Sequence, residues 1–425
     1  MISSSQRLAA LGWIFLFALA LVSLLFVEAY WFASPTLARG DSRSIESHLE
    51  RELRDAVGQR RLGSAALLLI QSKKVAAEHV FGIANASTQA RVNSGQTLYQ
   101  LASVSKAVTA WGVMKLVEDG RLGLDVPVMG YLKRWRFPAS EAHRDKVTAR
   151  HLLSHTAGLD DGLGYGGFAP GEAIQTLEDS LTLTKDSTAG PPRAVRVTSE
   201  PGKAMSYSGG GYTILQLLIE EVTNRPFADF MQEAVLLPLG MTKSSFDVDA
   251  IVAGGRAGDL ATSYGHDLQP HPTRRYTAKA AVALYATPQD LGRFARAYLG
   301  ENPVLSQETL KQMMMPQPGT SGSWGLGQTL FDANAGGGYV VGHDGGTLPA
   351  TAATVRVNPA TGNGVVLMAS GGRVSVNSLA DDWLFWETGR VPFSARRQVV
   401  LDRLAPASVA FVLGSIAIVW WKRRR

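Results

Sequence analysis

The stretch LASVSKAVTA, residues 101–110, decides how the chain is read. Val104, Ala107, Val108 and Trp111 recur at helical spacing and mark a buried face, and Lys106 stands three residues after Ser103 on the same turn. Burial strips a lysine of water and favours its neutral amine, which can take the proton of a neighbouring serine hydroxyl as that serine attacks. Alone the pattern is weak. A chain rich in Ser and Lys contains about one Ser-x-x-Lys by chance, and an ordinary helix N-terminus reads the same way.

Outward from this stretch, the helix is expected to start near Ser103 and to stop at Gly120, a residue suited to a left-handed cap. Upstream, residues 45–57 carry helical periodicity, and AALLLIQSKKVAAEHVFGIAN, residues 65–85, reads as a hairpin broken at Gln71, Ser72, Lys73 and Lys74. Downstream, to about Thr287, short helices and loops prevail. A helix over 288–299 follows, and then GYVVGHDGG, TAATVRVNPATGNG and VVLMAS read as antiparallel strands joined by Gly, Asn and Pro turns. The expected fold class is α/β (α+β): an antiparallel sheet built from both ends of the central part and flanked by helices, with a mainly helical subdomain, about 101–287, inserted between them.

Two further segments bear on chemistry. MSYSGGGY, residues 205–212, sets Tyr207 in a glycine-rich turn before the apolar helix TILQLLIEEV, where it can approach other backbone closely and present its phenol to a cleft. VGHDGGTL, residues 341–348, puts His343, Asp344 and Gly345 at the end of a strand, where a glycine lets a substrate lie along the edge. Read singly, the first is an aromatic packed under a loop and the second a plain turn.

In this order and with these separations, the three segments resemble the family of class C β-lactamases, D-Ala-D-Ala carboxypeptidases and related serine esterases and D-aminopeptidases, whose pattern is Ser-x-x-Lys, Tyr-x-Asn and Lys-x-Gly or His-x-Gly. TLYQLASVSKAVTAWGVMKLVEDGRLGLDVPV, RHLLSHTAGL, YSGGGYTILQLLIEEVTNRPFADFM, PLGMTKSSF and VRVNPATGNGVVLMASG agree with it, and the likeness covers about residues 45–386. The resemblance implies a β-lactamase/transpeptidase-like fold and a serine hydrolase that works through an acyl-serine intermediate without metal or organic cofactor. It makes Ser103 the nucleophile, Lys106 its proton relay and Tyr207 the base that later helps activate water. The backbone N–H groups of Ser103 and Gly346 would form the oxyanion hole, with His343 and Gly345 lining the substrate strand. Two departures bear on substrate. Gly209 stands where the family often has Asn, and His343, mostly neutral near neutral pH, stands where lactamases and carboxypeptidases carry Lys. Both point to a small ester, amide or peptide substrate rather than to efficient β-lactam or D-Ala-D-Ala turnover. The alternatives are a carboxypeptidase or β-lactamase, a D-peptidase that tailors a natural product, and a peptidoglycan-binding sensor with little turnover.

The 425 residues are 45% hydrophobic and 18% charged, with the apolar excess at the two ends. Residues 8–27 are uncharged and long enough to cross a bilayer, and residues 404–421 form a shorter apolar run ending in Trp420 and Trp421 before Lys422, Arg423, Arg424 and Arg425. A transmembrane helix at each end is therefore expected: an anchor (or signal peptide) over 1–33, a linker over 34–44, the hydrolase domain over 45–395, and a second span with a basic cytoplasmic tail over 404–425. This arrangement makes the lipid bilayer a partner, in the cytoplasmic membrane, with the catalytic part outside the cytoplasm. Of the +6 formal net charge, four cations lie in the last 22 residues, so the body is nearly balanced and lacks the basic stripe of a nucleic-acid binder. Cysteine is absent, which excludes disulfides, thiolate metal sites and cysteine nucleophiles.

Other signals carry less. His151 and His155 in HLLSH have the spacing of a zinc helix but lack the glutamate of H-E-x-x-H. GLGYGG, residues 162–167, matches G-x-G-x-x-G but follows a helical segment, which suits a loop near the cleft better than a dinucleotide site. His266 and His271 read as solvated loop residues. No G-x-S-x-G occurs, against an α/β-hydrolase.

Overall fold

Strands β1 (Ser64–Gln71) and β2 (Lys74–Asn85) form the expected hairpin around a loop of only two residues, Ser72 and Lys73, at φ 45° and 69°. Positive φ at both positions gives the mirror-image turn whose twist matches that of the flanking strands. In this computed structural model the described residues are 42–390, apart from 140, 162, 163, 189, 266, 301, 348–350 and 372–375, together with residue 23. The chain divides into two compact units, one of Ser42–Ala380 and one of Met1–Asp41 with Asp381–Arg425, the second almost wholly outside the described residues.

The sheet of the first unit is completed by β3 (Ala90–Arg91), β4 (Thr329–Ala333), β5 (Tyr339–Thr347), β6 (Thr351–Asn358) and β7 (Asn363–Ser370). Its seven strands run in the order β3-β2-β1-β7-β6-β5-β4, each pair antiparallel. The join between β1 and β7, from Ser64 opposite Ser370 to Ile70 opposite Gly364, brings the two ends of the unit together. Residues 64–70 are buried throughout because both faces of this central strand are covered. Ala66, Leu68 and Ile70 join the main core, where Leu68 lies under Gly292 of helix α4 (Pro288–Ala297). Ala65, Leu67 and Leu69 point the other way, the side taken by helix α1 (Ser42–Gly58) with its buried stripe Ile45, Leu49 and Leu53.

Between β3 and α4 the chain is mostly short helices and loops around two longer helices, α2 (Val104–Glu118) and α3 (Gly209–Thr223). The sequence suggests one buried face for α2. In fact Ser105, Lys106 and Thr109 are buried as well, so the helix runs through the core. Trp111 packs edge-on against Tyr298 with centroids 5.1 Å apart and tilts against Phe294 at 5.4 Å. The polar residues of α2 are satisfied by one segment laid along it: Ser105 Oγ accepts the Leu284 N–H at 2.9 Å and Thr109 Oγ1 donates to Ala280 O at 3.0 Å.

The expected architecture needs one correction. The α/β fold is present, but among the described residues no helix is long and apolar enough to cross a membrane. Residues 8–27, apart from residue 23, and 404–421, whose apolar runs suggest a transmembrane helix at each end, lie outside the described residues.

Candidate active site

Ser103 is the residue that caps α2, in helical backbone (φ −67°, ψ −13°), with no hydrogen bond from its side chain to the helix. Its hydroxyl is therefore left to its neighbours. Lys106, one turn on, places Nζ 3.1 Å from Ser103 Oγ and donates to Ala281 O at 2.9 Å. The ammonium has no exposure and lies 5.1 Å from the centroid of the Tyr207 ring and 5.6 Å from that of Tyr212. Burial, above all, pulls its pKa down to about 7, while the Asp161 carboxylate works in the opposite direction.

Tyr207 precedes the N-terminus of α3. Desolvation pushes its phenol well above the ordinary tyrosine value, and a hydrogen bond with Ser103 offsets part of this. The ring rests on His155, with centroids 4.2 Å apart. His155 Nδ1 accepts the Ser208 N–H at 3.1 Å, so the imidazole holds the turn that carries Tyr207. Ser208 then caps α3 by accepting the Gly211 N–H at 2.8 Å. The HLLSH spacing does not survive as a helix face. The helix ends at Leu153, His151 completes a capping box with Thr148, and His155 adopts left-handed backbone at φ 58°.

The third segment arrives on β5, at the sheet's far side from the hairpin. A side chain at Gly345 would come within 2.3 Å of Leu101 O and 3.0 Å of Ser103 N, so only glycine lets the strand pass the start of α2 this closely. Gly346, next along, is exposed, and a side chain added there would meet nothing nearer than Thr351 O, 3.7 Å from its Cβ. His343 is buried. Its Nδ1 lies 2.6 Å from Asp344 O, an acceptor only, so the proton is on Nδ1. Burial, followed by the charge of Lys106, lowers its pKa to about 4. Trp324 stands edge-on to His343 at 5.3 Å and donates its indole N–H to Leu153 O at 3.2 Å. On the opposite face of β5, Asp344 binds Thr354 and the buried Arg356 of β6, fixing the strand against its neighbour.

The structure thus brings Ser103, Lys106, Tyr207, His343, Gly345 and Gly346 to one place. Gly209 is there too, but its role differs from a simple loss. The Tyr165 ring fills the room of a side chain at 209, with Cε2 2.8 Å from an added Cβ, and its hydroxyl bonds Thr213 Oγ1 at 2.8 Å. Asp161 occupies the same room at Gly210, where an added Cβ would lie 2.6 Å from Oδ2 and where the Gly210 N–H binds that oxygen. Sequence reasoning missed Asp161, Tyr165, His155 and Trp324 as site residues. The signal for the first two was the run of three glycines at a helix start, which asks for something bulky to fill it.

An antiparallel sheet with a buried Ser-x-x-Lys helix packed against β5 and β6, a tyrosine turn and a His-x-Gly strand defines a β-lactamase/transpeptidase-like fold. The chain belongs to the beta-lactamase family, whose model, described as Beta-lactamase, matches residues 49–385. It is similar to the esterase EstB of Burkholderia gladioli, at 29% identity over 56% of this chain and 59% of that one. It is also similar to penicillin-binding protein 4 of Amycolatopsis lactamdurans, at 30% identity over 65% and 73%. Among solved structures, the octameric penicillin-binding protein homologue of Pyrococcus abyssi shares the fold, with a TM-score of 0.65, 23% identity and coverage of 80% of this chain and 76% of that one. The chain spans 59% of the length of EstB and 41% of that of penicillin-binding protein 4* of Bacillus subtilis.

Proposed function

We propose that the protein is a serine hydrolase that cleaves a small ester or amide through an acyl-serine intermediate. The observation that carries this reading is the 3.1 Å approach of a fully buried Lys106 amine, poised near pH 7, to the hydroxyl of Ser103. As a neutral amine Lys106 keeps its bond to Ala281 O and accepts the serine proton while Oγ adds to the substrate carbonyl carbon. The oxyanion is met by the N–H groups of Ser103 and Gly346. Collapse breaks the bond to the leaving alcohol or amine, which departs with the proton that Lys106 had taken. Water then adds to the acyl carbon and gives up a proton to the amine; the bond from that carbon to Ser103 Oγ breaks, the carboxylic acid leaves, and Lys106 returns the proton to Oγ.

In this scheme Tyr207 acts as a phenol, not as the base expected from the family pattern. Its raised pKa makes a phenolate costly beside an amine that is already free near neutrality, so it serves as the hydrogen-bonded relay between Ser103 and the leaving group. Substrate class follows from two features. His343, neutral and buried, provides no fixed cation for a substrate carboxylate, and no amide side chain projects from position 209. The similarity to an esterase supports the same direction.

The test is turnover of p-nitrophenyl esters, D- and L-aminoacyl anilides and nitrocefin by the wild type and by Ser103→Ala. Hydrolysis of an ester or anilide that vanishes in Ser103→Ala is the expected result. Preference for nitrocefin, or turnover that survives the substitution, would overturn the reading.

A further inference from the structure

The first turn of α3 lies between two rings that touch Lys106, the amine that must become neutral. Lys106 Nζ lies against the rings of Tyr207 and Tyr212, and these two residues bracket the first turn of α3, with Ser208, Gly209, Gly210 and Gly211 between them. Unopposed, the end of a helix this long acts as about half a positive charge and disfavours an ammonium. Asp161 is set on that end. Its Oδ2 takes the Gly210 N–H, and it shares a hydrogen bond with Ser208.

The other titratable groups around the amine do not supply a countercharge. His155 and His343 are buried and held neutral, Tyr207 and Tyr212 are held as phenols, and Asp344 is committed to Arg356 and Thr354. Asp160, beside Asp161, is exposed and lies 3.8 Å from Arg193. Asp186 acts on Tyr165 and accepts the Gly167 N–H. Among the described residues, Asp161 is the carboxyl group seated on the turn that touches Lys106; burial raises its own pKa, and the hydrogen bonds with Ser208 and the Gly210 N–H and the charge of Lys106 work against that rise.

We propose that Asp161 is a positioning residue for acylation: its charge on the Gly210 N–H offsets the positive end of α3 and sets the pH at which Lys106 becomes a base for Ser103. The inference rests on the serine-hydrolase reading only in giving Lys106 that task. Asp161 and Tyr165, from one loop, fill with a charge and a ring the room left open by Gly209 and Gly210.

Asp161→Asn keeps an oxygen for the Gly210 N–H and removes the charge; Asp161→Ser, one atom shorter, removes the charge and keeps a hydroxyl beside the turn. The direct readout is the Lys106 titration, followed by NMR of ε-13C-lysine-labelled full-length protein and assigned with Lys106→Ala, because it needs no substrate. Loss of the carboxylate is expected to move the midpoint down by about 0.5–1 pH unit in both variants. The acidic limb of the acylation rate should follow by the same interval. A midpoint within 0.2 of the wild type would overturn the proposal, as would failure of both variants to fold, which would make the carboxylate purely structural. If the wild type neither turns over nor acylates, the serine-hydrolase reading fails, and the NMR midpoint still decides the role of Asp161.

Discussion

The ring of Tyr165 stands where a side chain at Gly209 would stand, 2.8 Å from an added Cβ. This pairing explains why a glycine follows the Tyr207-Ser208 turn and why restoring the family's asparagine would not restore its function. Gly209→Asn is expected to overpack the site and to cost about 1–3 kcal/mol of stability. Combined with Tyr165→Ala, the loss should be smaller than the sum of the two single changes, because the new side chain then enters vacated space. Urea denaturation of the four proteins in the cycle checks this, and strict additivity would count against direct competition for space.

Gly345 makes a second close approach, to the backbone of Leu101 and Ser103. Gly345→Ala would force β5 away from the start of α2 and carry the Gly346 N–H with it. Acylation of Ser103 should slow by about a hundredfold or more, the cost of losing one oxyanion donor. Stopped-flow rates with an activated ester measure this, and an unchanged rate would remove Gly346 from the oxyanion hole.

These contacts mark how far the sequence could be read. The β1–β2 hairpin, α2 and the β5–β7 strands were legible because each follows from local periodicity and turn residues, and the Ser103, Lys106, Tyr207 and His343 grouping followed from family motifs. Asp161 and Tyr165 were not, because nothing in GLDDGLGYGG encodes its return onto the glycines at 209–211, far along the chain. His151 and His155 kept a helical spacing on paper, but the helix stops between them. The apolar runs at the two ends gave an expectation that the described residues do not contain.

His343 ties stability to acidity. Its pKa in the folded protein, about 4, lies below the ordinary 6.5, so on acidification the unfolded chain binds a proton first. Its contribution to stability is complete above about pH 6.5 and is lost as pH falls towards 4, at up to about 1.4 kcal/mol per pH unit. Buried, neutral His155 acts in the same direction. His343→Asn should therefore flatten the stability profile across this interval without abolishing its slope. Guanidinium unfolding at a series of pH values provides the measurement, and an unaltered slope would show that the imidazole is not held neutral by burial.

Lys106 acts on the alkaline side. Its folded pKa of about 7 lies below the usual 10.5, so the unfolded chain holds the extra proton between those values and stability should rise as pH increases from 7 towards 10.5. Lys106→Met, an unbranched side chain one atom shorter and without the charge, should remove that rise. Thermal unfolding across the interval tests it, and a rise that persists in the variant would assign it to another group.

The most direct test of a neutral lysine activating the serine is the pH dependence of Ser103 phosphonylation by a fluorophosphonate, in which Oγ attacks phosphorus and fluoride leaves, quantified on the labelled peptide. The rate should climb with pH and level off, with a midpoint near 7 set by Lys106. A rate that is flat between pH 5 and 9, or an adduct on any residue other than Ser103, would contradict the account.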